Sequence, residues 1–325
     1  MLVAIDAGNG WTKVLTPGRA PVQFPSMIAR ADAEWLEGYN AAPPLMADGQ
    51  NWHVGDAARY EPNPIFPSST DRLRQPHVVP LLAEALWRAG AAGNTVLATG
   101  LPLRVFKAER EGVMEAWNGR TLMLQRKQEI RRIVIAQCVV YPQGIAALAH
   151  LYPTARQQGV WPHEGLVGLV DVGRGTTELV VVEAATMAPR TALSTSFDIG
   201  VGTAVSHLTR WLQDQVQQPV STDQAEDAWL RGHLQWRNRQ INAAEGCRQA
   251  LDAVGGRLAT DIERWWRDQW ANIQLVVLVG SSASEWAVAL KRMHANIWVP
   301  EEPGLANVRG YLDLADPRGK AVAAV

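Results

Sequence analysis

The chain has 325 residues, 47% of them hydrophobic, which suffices for a sizeable core and about two domains at roughly 100–200 residues each. Its 31 basic and 32 acidic residues leave a formal net charge of −1, so net charge supplies no drive for direct, nonspecific DNA binding. No apolar run reaches the ~18 residues of a transmembrane helix, and the N-terminus runs straight into Leu2-Val3-Ala4-Ile5-Asp6 without the zones of a signal peptide.

The first elements read strand, turn, strand: an apolar run Leu2 to Ile5, a turn cluster Asp6-Ala7-Gly8-Asn9-Gly10, then an extended pattern from Trp11 to Leu15. Residues 17–80 are rich in Pro, Gly and small residues, notably Pro62-Asn63-Pro64 and Pro67-Ser68-Ser69, and read as a loop-rich insertion with short strands. A helix is expected over Pro80 to Ala89, closing at Gly90. A buried strand follows from Thr95 to Leu101, then a helix from Val105 to Trp117 that ends on the turn signal Asn118-Gly119. Two short strands come next, the second over Ile133 to Val140, and Gln143 to Leu151 reads as a helix.

Gly165 starts a second copy of the opening theme. Leu166 to Val170 is apolar, Asp171-Val172-Gly173-Arg174-Gly175 is a turn, and Thr176 to Val182 is extended. Both copies run apolar strand, Asp-x-Gly-x-Gly, then a strand containing threonine. Phe197-Asp198-Ile199-Gly200-Val201-Gly202-Thr203 leads into a helix through Leu212, and 222–271 reads as mostly helical, weakened or bent at Gly255-Gly256. The chain then gives a strand from Gln274 to Val279, a turn Gly280-Ser281-Ser282, a helix from Ala283 to Met293 and a short strand from Asn296 to Val299. Strands and helices alternate in both halves, which predicts α/β layers over largely buried sheets, with the best boundary near Pro153–Glu164. The two cysteines, Cys138 and Cys247, have no Cys-x-x-Cys partner and fit a reduced, cytosolic setting. The 14 tryptophans suggest large aromatic cores and an exposed self-association surface.

Two turns carry the chemistry. Glycines in a hairpin can turn successive backbone N–H groups toward one point, which makes a receptor for phosphate oxygens. In the first turn Gly8, Asn9 and Gly10 supply that backbone, Thr12 a hydroxyl, Lys13 a point charge, and Asp6 a carboxylate able to hold Mg²⁺ through water. In the second, Gly173, Arg174 and Gly175 form the turn, Thr176 and Thr177 offer hydroxyls, and Asp171 is the second carboxylate. Either turn alone reads equally as an ordinary tight hairpin; two of them, each opening one half, read as a clamp on a triphosphate. Gly280, Ser281 and Ser282 end a strand and begin a helix, where small residues admit a base or ribose, although a plain strand-to-helix turn has the same pattern. Gln143, at another strand-to-helix passage, can orient an attacking water, or be a solvated helix-start residue. A Gly-x-x-x-x-Gly-Lys-Ser/Thr loop, a Gly-x-Gly-x-x-Gly fingerprint after a strand, a His-Glu-x-x-His zinc motif and a Gly-x-Ser-x-Gly elbow are all absent from the sequence.

In order, Ile5 to Lys13, Tyr141 to Leu148, Asp171 to Thr177, Leu278 to Ala283 and Ala306-Asn307-Val308-Arg309-Gly310-Tyr311 resemble the five motifs of the actin, Hsp70 and sugar-kinase superfamily. The chain length and the Ala-Asn-Val-Arg-Gly-Tyr ending look like the ParM/StbA-type bacterial and archaeal actins, which polymerise with nucleotide and in many cases segregate plasmids. The resemblance implies an α/β, actin-like two-domain fold: two ribonuclease H-like domains around a nucleotide cleft. Domain I would span 1–160, with the insertion at about 17–90. Domain II would span 161–305, with a helical insertion at about 213–271, and 306–325 would return to domain I. It further implies an ATP or GTP site with Mg²⁺, Asp6 and Asp171 positioning the metal through water, and Gln143 orienting the attacking water. Gly200, Gly202 and Thr203 would line the nucleotide site. Arg174 and the serines at 281 and 282, where glycines are common, depart from the family pattern.

The function implied is a cytoplasmic, filament-forming ATPase with head-to-tail self-contacts, reaching plasmid DNA through an adaptor protein, with no direct DNA binding and no membrane association. A nonpolymerising ATPase switch or scaffold, or a small-molecule kinase of the same superfamily, is the alternative; pelleting with nucleotide separates the first from the filament reading, and sugar-stimulated ADP release tests the second.

Overall fold

Apolar strands flanked by turn residues build the framework, and the computed structural model describes residues 1–31, 43–61, 63–67 and 72–316. The chain divides into two units. Met1–Gln157 and the chain from Leu305 onward form the first, and Gln158–Gly304 the second.

The first unit carries β1 (Leu2–Ala7), β2 (Trp11–Leu15), β3 (Val22–Pro25), β4 (Ile28–Arg30), β5 (Leu45–Ala47), β6 (Gln50–Val54), β7 (Gly93–Leu101), β8 (Thr121–Arg126) and β9 (Glu129–Pro142). They form one sheet in the order β3-β2-β1-β7-β9-β8-β5-β6-β4. Strands β1, β2 and β3 are antiparallel neighbours, while β1, β7 and β9 run parallel. Its helices are α1 (Val78–Arg88), α2 (Leu103–Trp117), α3 (Ile145–Gln157) and, at the far end of the chain, α8 (Ala306–Ala315).

Alternation along β1 divides the core. Val3, Ile5 and Ala7 pack with Leu82 and Leu86 of α1 and Val113 and Trp117 of α2. Ala4, with Ala98 of β7, faces Ala146 of α3 and Val308 and Tyr311 of α8. Small residues on that second face let helices come close: a Cβ at Gly310 would collide with the Ala146 carbonyl, and one at Gly100 with the Tyr311 ring.

The second unit carries β10 (Leu166–Val172), β11 (Thr177–Glu183), β12 (Thr195–Phe197), α4 (Val201–Val216), α5 (Thr222–Arg231), β13 (His233–Trp236), β14 (Arg239–Asn242), α6 (Ala244–Trp266), β15 (Ile273–Val279), α7 (Ala283–Leu290) and β16 (Ile297–Trp298). Its main sheet has the order β12-β11-β10-β15-β16. The directions repeat those of β3-β2-β1-β7-β9: two antiparallel pairings, then two parallel ones. Val170, Val172 and Leu278 pack on Val254, Leu258, Ile262 and Trp266 of α6. A second cluster joins Val205, Leu208 and Leu212 of α4 to Ala225 and Ala228 of α5 and Leu234 of β13.

The structure departs from the sequence reading at several elements. The second strand after Gly119 is long, 14 residues, because β9 spans both the parallel core and the β8 side of the sheet. Gln143 precedes α3 rather than starting it, and α3 continues through Pro153 to Gln157. Within 222–271 the hairpin β13–β14 interrupts the helices, whereas α6 runs unbroken through Gly255-Gly256. Several tryptophans go to the cores. Trp117, Trp266 and Trp286 are fully buried, and Trp265 is the exposed tryptophan among the described residues. Of the loop signals in 17–80, Pro62, Ser68 and Ser69 lie outside the described residues.

Candidate functional site

Asp6 is the penultimate residue of β1 and pairs in register with Lys13 of β2. Its carboxylate is buried, with Lys13 Nζ 3.5 Å from Oδ2. Gln143, just past the end of β9, brings Nε2 to 3.5 Å from Asp6 Oδ1, the outer limit of a hydrogen bond. The Thr99 hydroxyl donates to the Ile5 carbonyl at 2.8 Å and so ties β7 to β1 beside Asp6. Asp6 and Gln143 therefore meet at the carboxyl ends of parallel strands, where open α/β sheets bind ligands.

The turn that follows is braced from within. The Gly8 N–H donates to the Trp11 carbonyl at 3.1 Å, and a Cβ on Gly8 would lie only 2.8 Å from that oxygen. The Ser26 N–H donates to the Gly10 carbonyl at 2.9 Å, holding β3 against the turn. Thr12 faces the core: it is fully buried, and its hydroxyl lies 2.8 Å from the Ser26 hydroxyl. The fold uses this hydroxyl, which sequence reasoning had offered to a phosphate.

The second turn repeats the first in register. Ala7 pairs with Thr12 across Gly8–Trp11, and Val172 pairs with Thr177 across Gly173–Thr176. The Gly173 N–H donates to the Thr176 carbonyl at 2.9 Å, as Gly8 does to Trp11. Asp171 is penultimate in β10, as Asp6 is in β1. Thr177 is buried like Thr12, and its hydroxyl donates to the Ile199 carbonyl at 2.7 Å.

The cation does not repeat. Opposite Asp171 stands Glu178, buried and accepting from the Ser196 hydroxyl at 2.7 Å. The positive charge of this turn is Arg174, whose guanidinium donates to Glu226 on α5. Glu226 lies 52 residues away and escaped the sequence reading, since no local pattern announces it.

Gly200 and Gly202 brace this turn. The Val201 and Gly202 N–H groups donate to the Gly173 and Arg174 carbonyls at 3.0 and 2.7 Å. A Cβ on Gly200 would sit 2.5 Å from the Gly173 oxygen, so the close approach requires glycine. Thr203 accepts the Gly200 N–H at 3.4 Å. Gly280, at the end of β15, has φ +111°, and a Cβ there would collide with the Val172 carbonyl. Ser281, exposed, and Ser282, half-buried, follow it at the start of α7. Asp171, Gly173, Gly200 and Gly280 thus share one end of the second unit's sheet.

A cavity of about 580 Å³ opens elsewhere in the first unit, between Trp52, Leu73, Val79 and Trp117 with Arg30, Arg74 and Arg120, and none of the residues singled out from the sequence line it.

Residues 4–145 match the family model for the actin-like proteins' N-terminal domain, and residues 169–292 that for the archaeal actin homologue MreB-like C-terminal domain. Both units of the chain are thus actin-like. A curated archaeal actin homolog from Thermoplasma volcanium is 28% identical over 328 residues, covering 97% of this chain and 99% of the relative. The crystal structure of an archaeal actin homolog superposes with a TM-score of 0.87 at 27% identity, covering 97% of this chain and 98% of that one. The same homolog in complex with ADP gives 0.84 over the same shares at the same identity. A subunit of a 15-stranded ParM filament from Clostridium botulinum gives 0.83 at 20% identity, over 98% of this chain and 99% of that one, and shares the fold.

In this actin-like protein the first matched segment contains Asp6, Lys13 and Gln143, and the second contains the Asp171 turn and Gly280. Among the described residues no group of three or more His, Cys, Asp or Glu is gathered to hold a metal. Mg²⁺ keeps several waters and takes carboxylates together with phosphate oxygens. Asp6 and Asp171, each at a strand end beside a glycine turn, are carboxylates of that kind. No helix among the described residues is long and apolar enough to cross a membrane.

Proposed function

We propose that this actin-like protein is a cytoplasmic, Mg²⁺-dependent ATPase that assembles head to tail into filaments and serves plasmid DNA segregation through an adaptor protein. The observation that carries the reading is the pair of glycine turns in identical register, each following an Asp at the carboxyl end of a parallel strand. The turns hold phosphate oxygens with backbone N–H groups, Asn9 and Gly10 in one and Arg174 to Thr176 in the other, while the Gly8 and Gly173 N–H groups brace the turns from within. Lys13 adds a point charge in the first and Arg174 a guanidinium in the second. Asp6 and Asp171 would hold Mg²⁺ through water, and the ion would supply positive charge to neutralise phosphate oxygens. Gln143 orients the attacking water by hydrogen bonding, as a neutral amide rather than as a strong base. The ADP complex of the archaeal relative supports an adenine nucleotide over a guanine one. Gly280 and Ser281 supply the flat surface for it. The net charge of −1 supports reaching DNA through an adaptor.

Phosphate release with Mg²⁺ and ATP tests the reading. The Asp171→Ala chain is expected to lose turnover about 100-fold or more, in the range of losing a positioned electrostatic group, while keeping its circular dichroism spectrum. Full activity in that variant would remove Asp171 from the site.

A further inference from the structure

The turn that carries Gln143 is held from the opposite end of the chain. Gly144 has φ +73° and stands at the head of α3, where a backbone N–H has no partner within the helix. The Asn307 side-chain carbonyl, from the first turn of α8, accepts that N–H at 2.9 Å, and both residues are buried. The Gln143 N–H is itself fixed, donating to the Leu101 carbonyl at 2.8 Å. Residue 143 is therefore clamped from both sides, by the end of β7 and by Asn307, with its amide directed at Asp6. Helix α8 has little freedom to shift. Gly310 lies against the Ala146 carbonyl, Tyr311 lies against Gly100, and the Tyr311 and Tyr141 rings stack with centroids 6.4 Å apart.

We infer that Asn307 is a positioning residue for Gln143, so that α8 completes the hydrolytic site from the far end of the chain. This rests on the reading that Gln143 orients the attacking water. Asn307 acts through the Gly144 N–H and touches no nucleotide. A bare helix cap would cost stability alone; a positioning residue sets turnover.

The test compares Asn307→Ala, Asn307→Asp, Gln143→Ala and the Asn307→Ala/Gln143→Ala double variant. Aspartate keeps an acceptor for the Gly144 N–H and sits at a helix N-terminus that favours its charge. Asn307→Ala is expected to lower kcat about 10- to 100-fold, the size of effect expected from misplacing a reacting group. Its KM for ATP and Kd for ADP should stay unchanged, and Asn307→Asp should recover most of the loss. In the nucleotide-free chain, amide exchange at 143–145 should rise in the alanine variant and fall back in the aspartate variant. The double variant should be no slower than Gln143→Ala alone. Unchanged kcat in a folded Asn307→Ala chain overturns the role, as do additive losses in the double variant. If Asn307→Ala does not fold, Asn307→Asp with lost kcat and unchanged amide exchange overturns it. A wild-type chain that binds ADP yet releases no phosphate overturns the hydrolysis reading and this role together, whereas loss at Asn307 alone leaves the former standing.

Discussion

Lys13 and Glu178 follow corresponding Asp positions in two turns of the same register, yet their charges are opposite. Lys13 lies beside Asp6 and is only partly exposed; Glu178 accepts from the Ser196 hydroxyl. The first turn thus brings its cation from the strand, and the second from the turn itself. Lys13→Ala is expected to weaken ADP binding about 10-fold, the scale of one charge-assisted hydrogen bond. Calorimetric titration checks this, and an unchanged Kd would remove Lys13 from the phosphates. Cys138 gives a contrasting expectation. Burial pushes its thiol up to about 12, so it stays protonated and unreactive well above neutral pH. Alkylation at pH 8 should leave Cys138 unlabelled in the folded chain and label it after unfolding, as mass spectrometry would show. At this scale the aspartates and glycines of the turns were legible in the sequence, because their chemistry is local. The fate of the Thr12 and Thr177 hydroxyls was not. Their partners, Ser26 and Ile199, lie 14 and 22 residues away, beyond the reach of any local pattern, and β11, which carries Thr177, is buried on both faces and so has no alternation to say which way that threonine points.

At the scale of elements, adjacent glycines in α6 separate local propensity from tertiary packing. Gly255 and Gly256 read in the sequence as a weak point, since glycine costs helix stability. The helix runs through them because Gly255 is where α7 comes close: a Cβ there would collide with the Ala289 Cβ. Gly256 faces open space, with nothing within 4 Å of where a Cβ would stand. The two alanine substitutions should therefore act in opposite directions. Gly255→Ala is expected to destabilise by about 1–3 kcal/mol through overpacking. Gly256→Ala is expected to stabilise by about 0.5–1 kcal/mol through helix propensity. Urea unfolding measures both, and a shared sign would show that the α6–α7 approach does not govern Gly255. The hairpin β13–β14 went unread for a related reason. Its turn places Arg237 at φ +52°, so no glycine marks the reversal. The alternating strands of the two main sheets, by contrast, were announced by apolar runs with glycine turns on either side.

For the whole molecule, the repeated order β3-β2-β1-β7-β9 and β12-β11-β10-β15-β16 explains why two family models fit consecutive stretches of one chain. The sequence revealed that repeat through Asp6-x-Gly8-x-Gly10 and Asp171-x-Gly173-x-Gly175; it did not reveal where copies of the chain would touch. Among the described residues Trp265 alone of the tryptophans is exposed, while Trp11, Trp211, Trp229, Trp236, Trp270 and Trp298 are half-buried. The other exposed large apolar side chains include Met123, Ile130, Leu230 and Val288. On the proposed reading, head-to-tail contacts between copies build an open filament when the rotation between them does not close. Such contacts make polymer appear above a critical concentration, and nucleotide state shifts it only by binding the assembled form more tightly. Sedimentation with Mg²⁺ and ATP should show a pellet that is absent with ADP and dissolves as phosphate is released. Asp171→Ala should pellet with ATP and persist, because the polymer forms and its timer is lost. Turnover without a pellet across a wide concentration range would leave an ATPase switch rather than a filament; a pellet independent of nucleotide would uncouple assembly from the glycine turns.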